Sequence, residues 1–169
     1  VSALAGALAA GLASMTAHLT VGKKGYDSVQ DRVLSLPAEA QSLKDDLLKA
    51  IDEDTNAFNA VLDAMRLPKK TEEQILIRDK EIESATQKAC LIPLNVMKLS
   101  AKAYNLCKEM GEKGNENSRS DAEVGALMAK AAVHGAGKNV LINLEGIKDE
   151  SFRLKMESDV SSWLKIVDV

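Results

Sequence analysis

Along most of this chain apolar residues recur at three- and four-residue spacing, and the runs break at clusters of turn formers. Leu4, Leu8, Leu12, Met15 and Leu19 form one such series, while Ala3, Ala7, Ala10 and Ser14 form a second on the neighbouring face. The spacing predicts a first helix over Val1 to Leu19, bulky on one side and small on the other, ended by Gly22-Lys-Lys-Gly25. A small face admits close approach of another backbone, so this helix is expected to be buried, in the middle of a bundle or against a copy of itself. Helical sequence resumes over Asp27 to Leu36, and Pro37 is expected to start a further stretch reaching Met65. Thr71 with Gln74 is a capping box for a helix running from Glu72 to Met110, which Pro93 should kink or divide. Turn formers fill Gly111 to Ser120, and Ser120 with Glu123 repeats the capping pattern before a helix that ends near Leu144. The last helix, about Asp149 to Val167, spaces Phe152, Met156, Val160, Trp163 and Val167 along one face. No internal repeat or low-complexity tract appears.

Composition supports this all-α reading of one domain with five to six helices. The chain has 169 residues, 46% hydrophobic and 28% charged, enough apolar content to bury a core and too much for disorder. Aromatics are only 3%, whereas strands favour aromatic and β-branched residues. A net charge of -3 argues against a nucleic-acid partner. Glycines and polar residues in the opening apolar run, and the lack of a basic flank, favour a buried helix over a membrane span. Cys90 and Cys107 lack the spacing of a disulfide framework or zinc site, so reduced thiols in the cytoplasm are expected.

The segment Ile51 to Phe58 carries the first candidate chemistry. On a helical wheel Asp52 joins Asn56, Asn59 and Asp63 on a polar stripe, but Asp54 falls among Ile51, Phe58, Val61 and Met65. An aspartate on an apolar arc is catalytic, structurally paired, or a sign that the helix boundary is misplaced. Asn139 and Asn143, one turn apart beside Gly125, Ala132 and Ala136, either bond neighbouring helices or face a flat heterocycle. His18 and His134 have no metal-like partner by spacing and read as structural. Lys23, Lys24, Lys69 and Lys70 are solvated surface unless a ligand carries several carboxylates.

Five ordered segments go further: Val1-Ser-Ala-Leu-Ala-Gly-Ala-Leu-Ala-Ala10, Gly22-Lys-Lys-Gly-Tyr26, Asp52-x-Asp54-x-x-Ala-Phe58, Gly114-Asn-Glu-Asn-Ser-Arg-Ser-Asp121 and Asn139-Val-Leu-Ile-Asn-Leu144. Together they resemble the cyclodeaminase/cyclohydrolase family of folate enzymes, across nearly the whole chain and most weakly at residues 28–45 and after 151. The resemblance implies a helical homodimer with a folate site at or near its interface. It also implies ring closure of 5-formiminotetrahydrofolate to 5,10-methenyltetrahydrofolate with loss of ammonia, or interconversion of methenyl- and 10-formyltetrahydrofolate. No cofactor beyond the tetrahydrofolate substrate and no metal are implied. Asp54, with Asp52 as second choice, is the implied proton-transfer group. Asn115, Ser118 and Asp121 are the recurring polar positions of the family loop and, with Asn139 and Asn143, would orient the substrate. Lys23 and Lys24 would attract its glutamate tail. The glycine-rich stretch that family members carry before the Val-Ser is not in this chain, so a longer natural protein and a fused or separate formiminotransferase are expectations. A catalytically silent helical dimerisation module is the alternative from another class.

Overall fold

The computed structural model describes residues 1–168. Five helices follow in order: α1 Ser2–Thr20, α2 Gln30–Met65, α3 Glu72–Lys113, α4 Arg119–Leu144 and α5 Glu150–Val167. Single 3-10 turns, Asp27–Val29 and Glu116–Ser118, lead into α2 and α4. α1 packs on α2, α3 and α4, α3 packs in turn on α2 and α4, and α5 covers part of α3 and α4. At 1.5 Å per residue α2 and α3 are about 54 and 63 Å long against about 28 Å for α1. The α2–α3 hairpin therefore extends past the start of α1, where Ile75, Leu76 and Ile77 are exposed near its tip.

α1 sits in the bundle by its small face, with Ala9, Ala10, Ala13 and Ala17 fully buried. Within one chain α1 does not lie in the middle of the bundle, because Leu4, Leu8, Met15 and Leu19 on its bulky face lie on the surface. The closeness that the alanines allow is visible at Cys107, whose Sγ donates to the Ala9 carbonyl at 3.2 Å, and at Gly125. A Cβ on Gly125 would lie 2.7 Å from that sulfur and 3.2 Å from Leu12 Cβ.

Pro37 does not begin a new helix, and Pro93 does not divide α3; both lie inside continuous helices. Each lacks an N–H for the carbonyl four residues back. Val33, Leu36 and Ala40 around Pro37, and Val96 and Met97 beyond Pro93, are all buried, so tertiary packing holds each helix across its proline. Thr71 caps α3 as predicted, its side chain accepting from Gln74 N at 3.2 Å, while Gln74 Oε1 accepts from Lys70 N at 3.0 Å. The second predicted capping box is not used: Ser120 and Glu123 lie within α4, and Glu123 pairs with Arg119. The turn is set earlier, where Asn115 Oδ1 accepts from Asn117 N and Ser118 Oγ donates to Asn115 O. Asp149 caps α5 through Phe152 N at 3.0 Å. Glu83 of α3 anchors the preceding turn by accepting from Lys148 N and Asp149 N.

Candidate functional site

Where α1 begins, α2, α3 and α4 converge around a groove with two compartments. The smaller, about 270 Å³, is bounded by Ser2, Asp54, Thr55, Pro93, Ala136 and Asn139 among others. The larger, about 480 Å³, runs toward the hairpin tip past Phe58, Met65, Ile82, Ile142 and Asn143. Asp54 and Asn139 line both, so the compartments meet along a carboxylate from α2 and an amide from α4. Thr55 Oγ1 is turned back onto the Ile51 carbonyl at 3.2 Å.

Asp54 is not sunk in apolar core, as the wheel suggested; it is exposed, and the arc around it opens onto the groove, with Phe58 61% and Met65 49% exposed. The wheel found the apolar face correctly, but that face borders a cleft. Asp52 is also exposed and lines neither compartment. Asn139 is exposed at the groove and Asn143 is half-buried beside it. Asn143 Nδ2 donates to the Ala89 carbonyl at 3.4 Å. Ala89 stands four residues before Pro93, so its carbonyl has no partner within α3, and the α4 amide takes that place.

The other predicted residues lie at the opposite end of α1, about 28 Å away along its axis. Lys23 and Lys24 are exposed in the turn after α1. Asn115 is 9% and Ser118 2% exposed, and both are held by internal bonds. Asn115 N donates to Thr20 Oγ1 at 2.8 Å and Asn115 Nδ2 to the Leu19 carbonyl at 3.0 Å, which closes the carboxyl end of α1. Thr16 Oγ1 donates to the Ser118 carbonyl at 3.4 Å. Asp121 is half-buried in the first turn of α4. Within one chain the nine predicted positions thus divide: Asp54, Asn139 and Asn143 share the groove, Lys23, Lys24, Asn115, Ser118 and Asp121 cluster far from it, and Asp52 belongs to neither set. The sequence reading did not single out Ser2, Thr55 or Phe58 as site residues; the signal for the last two was their place one and four residues beyond Asp54.

Both histidines have partners near the surface. His18 Nδ1 lies 2.9 Å from the Ser14 carbonyl. Asp168 joins His134 Nε2 at 2.9 Å and Lys130 Nζ at 3.0 Å, and the hydrogen bond from His134, aided by Lys130, lowers its pKa. Among the described residues no three or more His, Cys, Asp or Glu side chains are arranged so that they could hold a metal ion.

The molecule is an all-α helical bundle whose groove sets a carboxylate and an amide between two compartments. The sequence matches the family model described as Formiminotransferase-cyclodeaminase over residues 1–162. A methenyltetrahydrofolate cyclohydrolase from Methylorubrum extorquens is 36% identical over 151 residues, 89% of this chain and 73% of that protein. Formimidoyltransferase-cyclodeaminases from Rattus norvegicus and Dictyostelium discoideum are 32% and 37% identical over 98% and 97% of this chain, which spans only 30% of their length. The crystal structure of formiminotetrahydrofolate cyclodeaminase from Thermotoga maritima superposes with a TM-score of 0.89 at 27% identity, covering 99% of this chain and 80% of that one. The chain belongs to the formiminotransferase-cyclodeaminase family.

Proposed function

We propose that this protein is a folate one-carbon enzyme that converts 5-formiminotetrahydrofolate to 5,10-methenyltetrahydrofolate and ammonia in the Asp54–Asn139 groove. The observation that carries the reading is the meeting of Asp54 and Asn139 between two compartments, in a chain of this family. Ring closure joins N10 to the carbon of the protonated formimino group and moves the N10 proton to its nitrogen, so that the C–N bond breaks, ammonia leaves and the positive charge stays on the N5–C–N10 unit. The Asp54 carboxylate takes the N10 proton and returns it to the departing nitrogen. It also faces the positive charge that develops on the N5–C–N10 unit of the product. Asn139, with both a donor and an acceptor, orients the substrate at that bridge.

A second reading, methenyltetrahydrofolate cyclohydrolase, is favoured by the Methylorubrum relative, of which this chain spans 73%. Both reactions share the methenyl compound and differ in whether ammonia or water is handled at the bridge carbon. An absorbance assay separates them. Growth of the methenyl chromophore from 5-formiminotetrahydrofolate with release of ammonia supports the first, and decay of preformed chromophore without activity on the formimino compound supports the second. Asp54→Asn should lower turnover about 100-fold or more while leaving thermal unfolding unchanged; undiminished turnover would rule out the proton-transfer role.

The working unit of the proposal is a homodimer. Leu4, Leu8, Met15 and Leu19 form an exposed apolar stripe on α1. A two-fold axis through the middle of that stripe would lay the Lys23-Lys24 turn of one protomer beside the groove of its partner, uniting the two groups of predicted residues. The lysines would then attract the substrate's glutamate tail, with or without further glutamates. In a longer natural chain a formiminotransferase domain would supply the substrate.

A further inference from the structure

We infer that Phe58 is the platform on which the aminobenzoyl ring of the substrate stacks, and that it sets the protein's preference for folates over bare pterins; this rests on the folate reading above. Phe58 is 61% exposed, yet it borders the 480 Å³ compartment. Buried aromatic area is among the larger contributions to stability, so an open ring on a groove wall calls for a ligand surface to cover it. The two compartments also differ in their linings. Ser2 and Thr55 line the smaller one among aliphatic neighbours such as Val1, Ala50 and Val96, whereas the larger one holds Phe58, the one aromatic side chain in either lining, beside Met65, Ile82 and Ile142 and the polar Thr86 and Asn143. A tetrahydrofolate carries a single benzene ring on one side of its N5–N10 bridge, and Phe58 is the aromatic surface the groove offers it.

The register along α2 fits this placement. N10 is bonded directly to the benzene ring, so a contact that holds N10 at Asp54 carries the ring only a short step further. Phe58 is four residues on, the (i, i+4) relation that sets side chains on one helix face with Cβ atoms about 5–6 Å apart. The pterin then occupies the smaller compartment and the ring lies against Phe58, opposite Ile142 of α4.

Fragment competition tests the assignment in the full chain. With turnover of the folate substrate as the readout, p-aminobenzoylglutamate and a reduced pterin without the aryl group serve as separate competitive inhibitors of the wild type, Phe58→Ala, Phe58→Leu and Phe58→Tyr. Phe58→Ala should raise KM and the inhibition constant of p-aminobenzoylglutamate roughly tenfold, with the constant for the pterin and kcat nearly unchanged. Phe58→Leu should recover part of the loss and Phe58→Tyr nearly all of it. Unchanged competition by p-aminobenzoylglutamate in Phe58→Ala overturns the inference, as does an equal loss for both fragments. A fall in sedimentation coefficient on Phe58→Ala would place the ring in a protein interface and also overturn it. If the wild type turns over neither folate, the folate reading fails and this inference with it; turnover with unmoved competition removes the inference alone.

Discussion

At the level of single residues, burial and hydrogen bonding give side chains properties that depend on neighbours far away in the chain. Burial pushes the Cys90 thiol up to about 11 and the Cys107 thiol to about 12. Neither should form thiolate near neutral pH, so a thiol reagent is expected to label neither cysteine of the native protein at pH about 8 and both after denaturation. Rapid labelling of the native state would contradict the packing at Ala9. Arg32 and Glu109, 77 residues apart, are joined by Nε and Nη2 bonds to the carboxylate of 3.0 and 2.8 Å. The bond from Arg32 holds Glu109 below the ordinary carboxyl range, and Glu109 raises Arg32. A carboxylate with its folded pKa depressed contributes stability above its unfolded pKa, and that contribution is lost as pH falls through the folded value. Glu109→Gln should therefore cost about 0.5–1 kcal/mol at neutral pH, discounted for partial exposure, and little in acid near pH 2; urea unfolding at the two pH values checks it. Asn143 and Pro93 give the same lesson: a proline's missing donor was legible, but the amide that takes up the freed Ala89 carbonyl was not.

Helix boundaries were legible wherever a local signal sufficed. Thr71 and Asp149 cap α3 and α5 through bonds reaching only three residues, and Gly22 and Gly25 adopt positive φ values of 67° and 90° in the turn after α1. Local signals misled where packing overrode them, at Pro37 and at Ser120. The packing of α1 is the element-level feature most open to test. Gly125→Ala would press a methyl against Cys107 Sγ, itself fixed by its bond to Ala9, and against Leu12. It should destabilise the protein by about 1–3 kcal/mol in thermal or urea unfolding. Wild-type stability would mean that α1 and α4 are not in such close contact.

For the whole molecule, surface is the telling quantity. The chain exposes 9798 Å², whereas a monomer of its mass typically exposes about 8,100 Å². The surplus comes with the projecting hairpin and the open leucine face of α1, and both fit the proposed dimer. Leu8→Glu, at a half-exposed position in the middle of that face, should shift sedimentation toward the monomer without lowering helicity. An unchanged sedimentation coefficient would exclude the α1 face as the interface. By itself the sequence determined the all-helical architecture, the bounds of the helices within a few residues apart from the false start at Pro37, the amphipathic division of α1 and the chemical candidates, because helical period and capping act over three or four residues. Only the tertiary structure decided which face of α1 turns inward, that the apolar arc around Asp54 opens onto a groove, and that the loop residues lie far from that groove in one chain. Those outcomes depend on contacts between positions more than 50 residues apart, where backbone closeness at alanine and glycine outweighs the ordinary tendency to bury leucine, and no spacing along the chain encodes them.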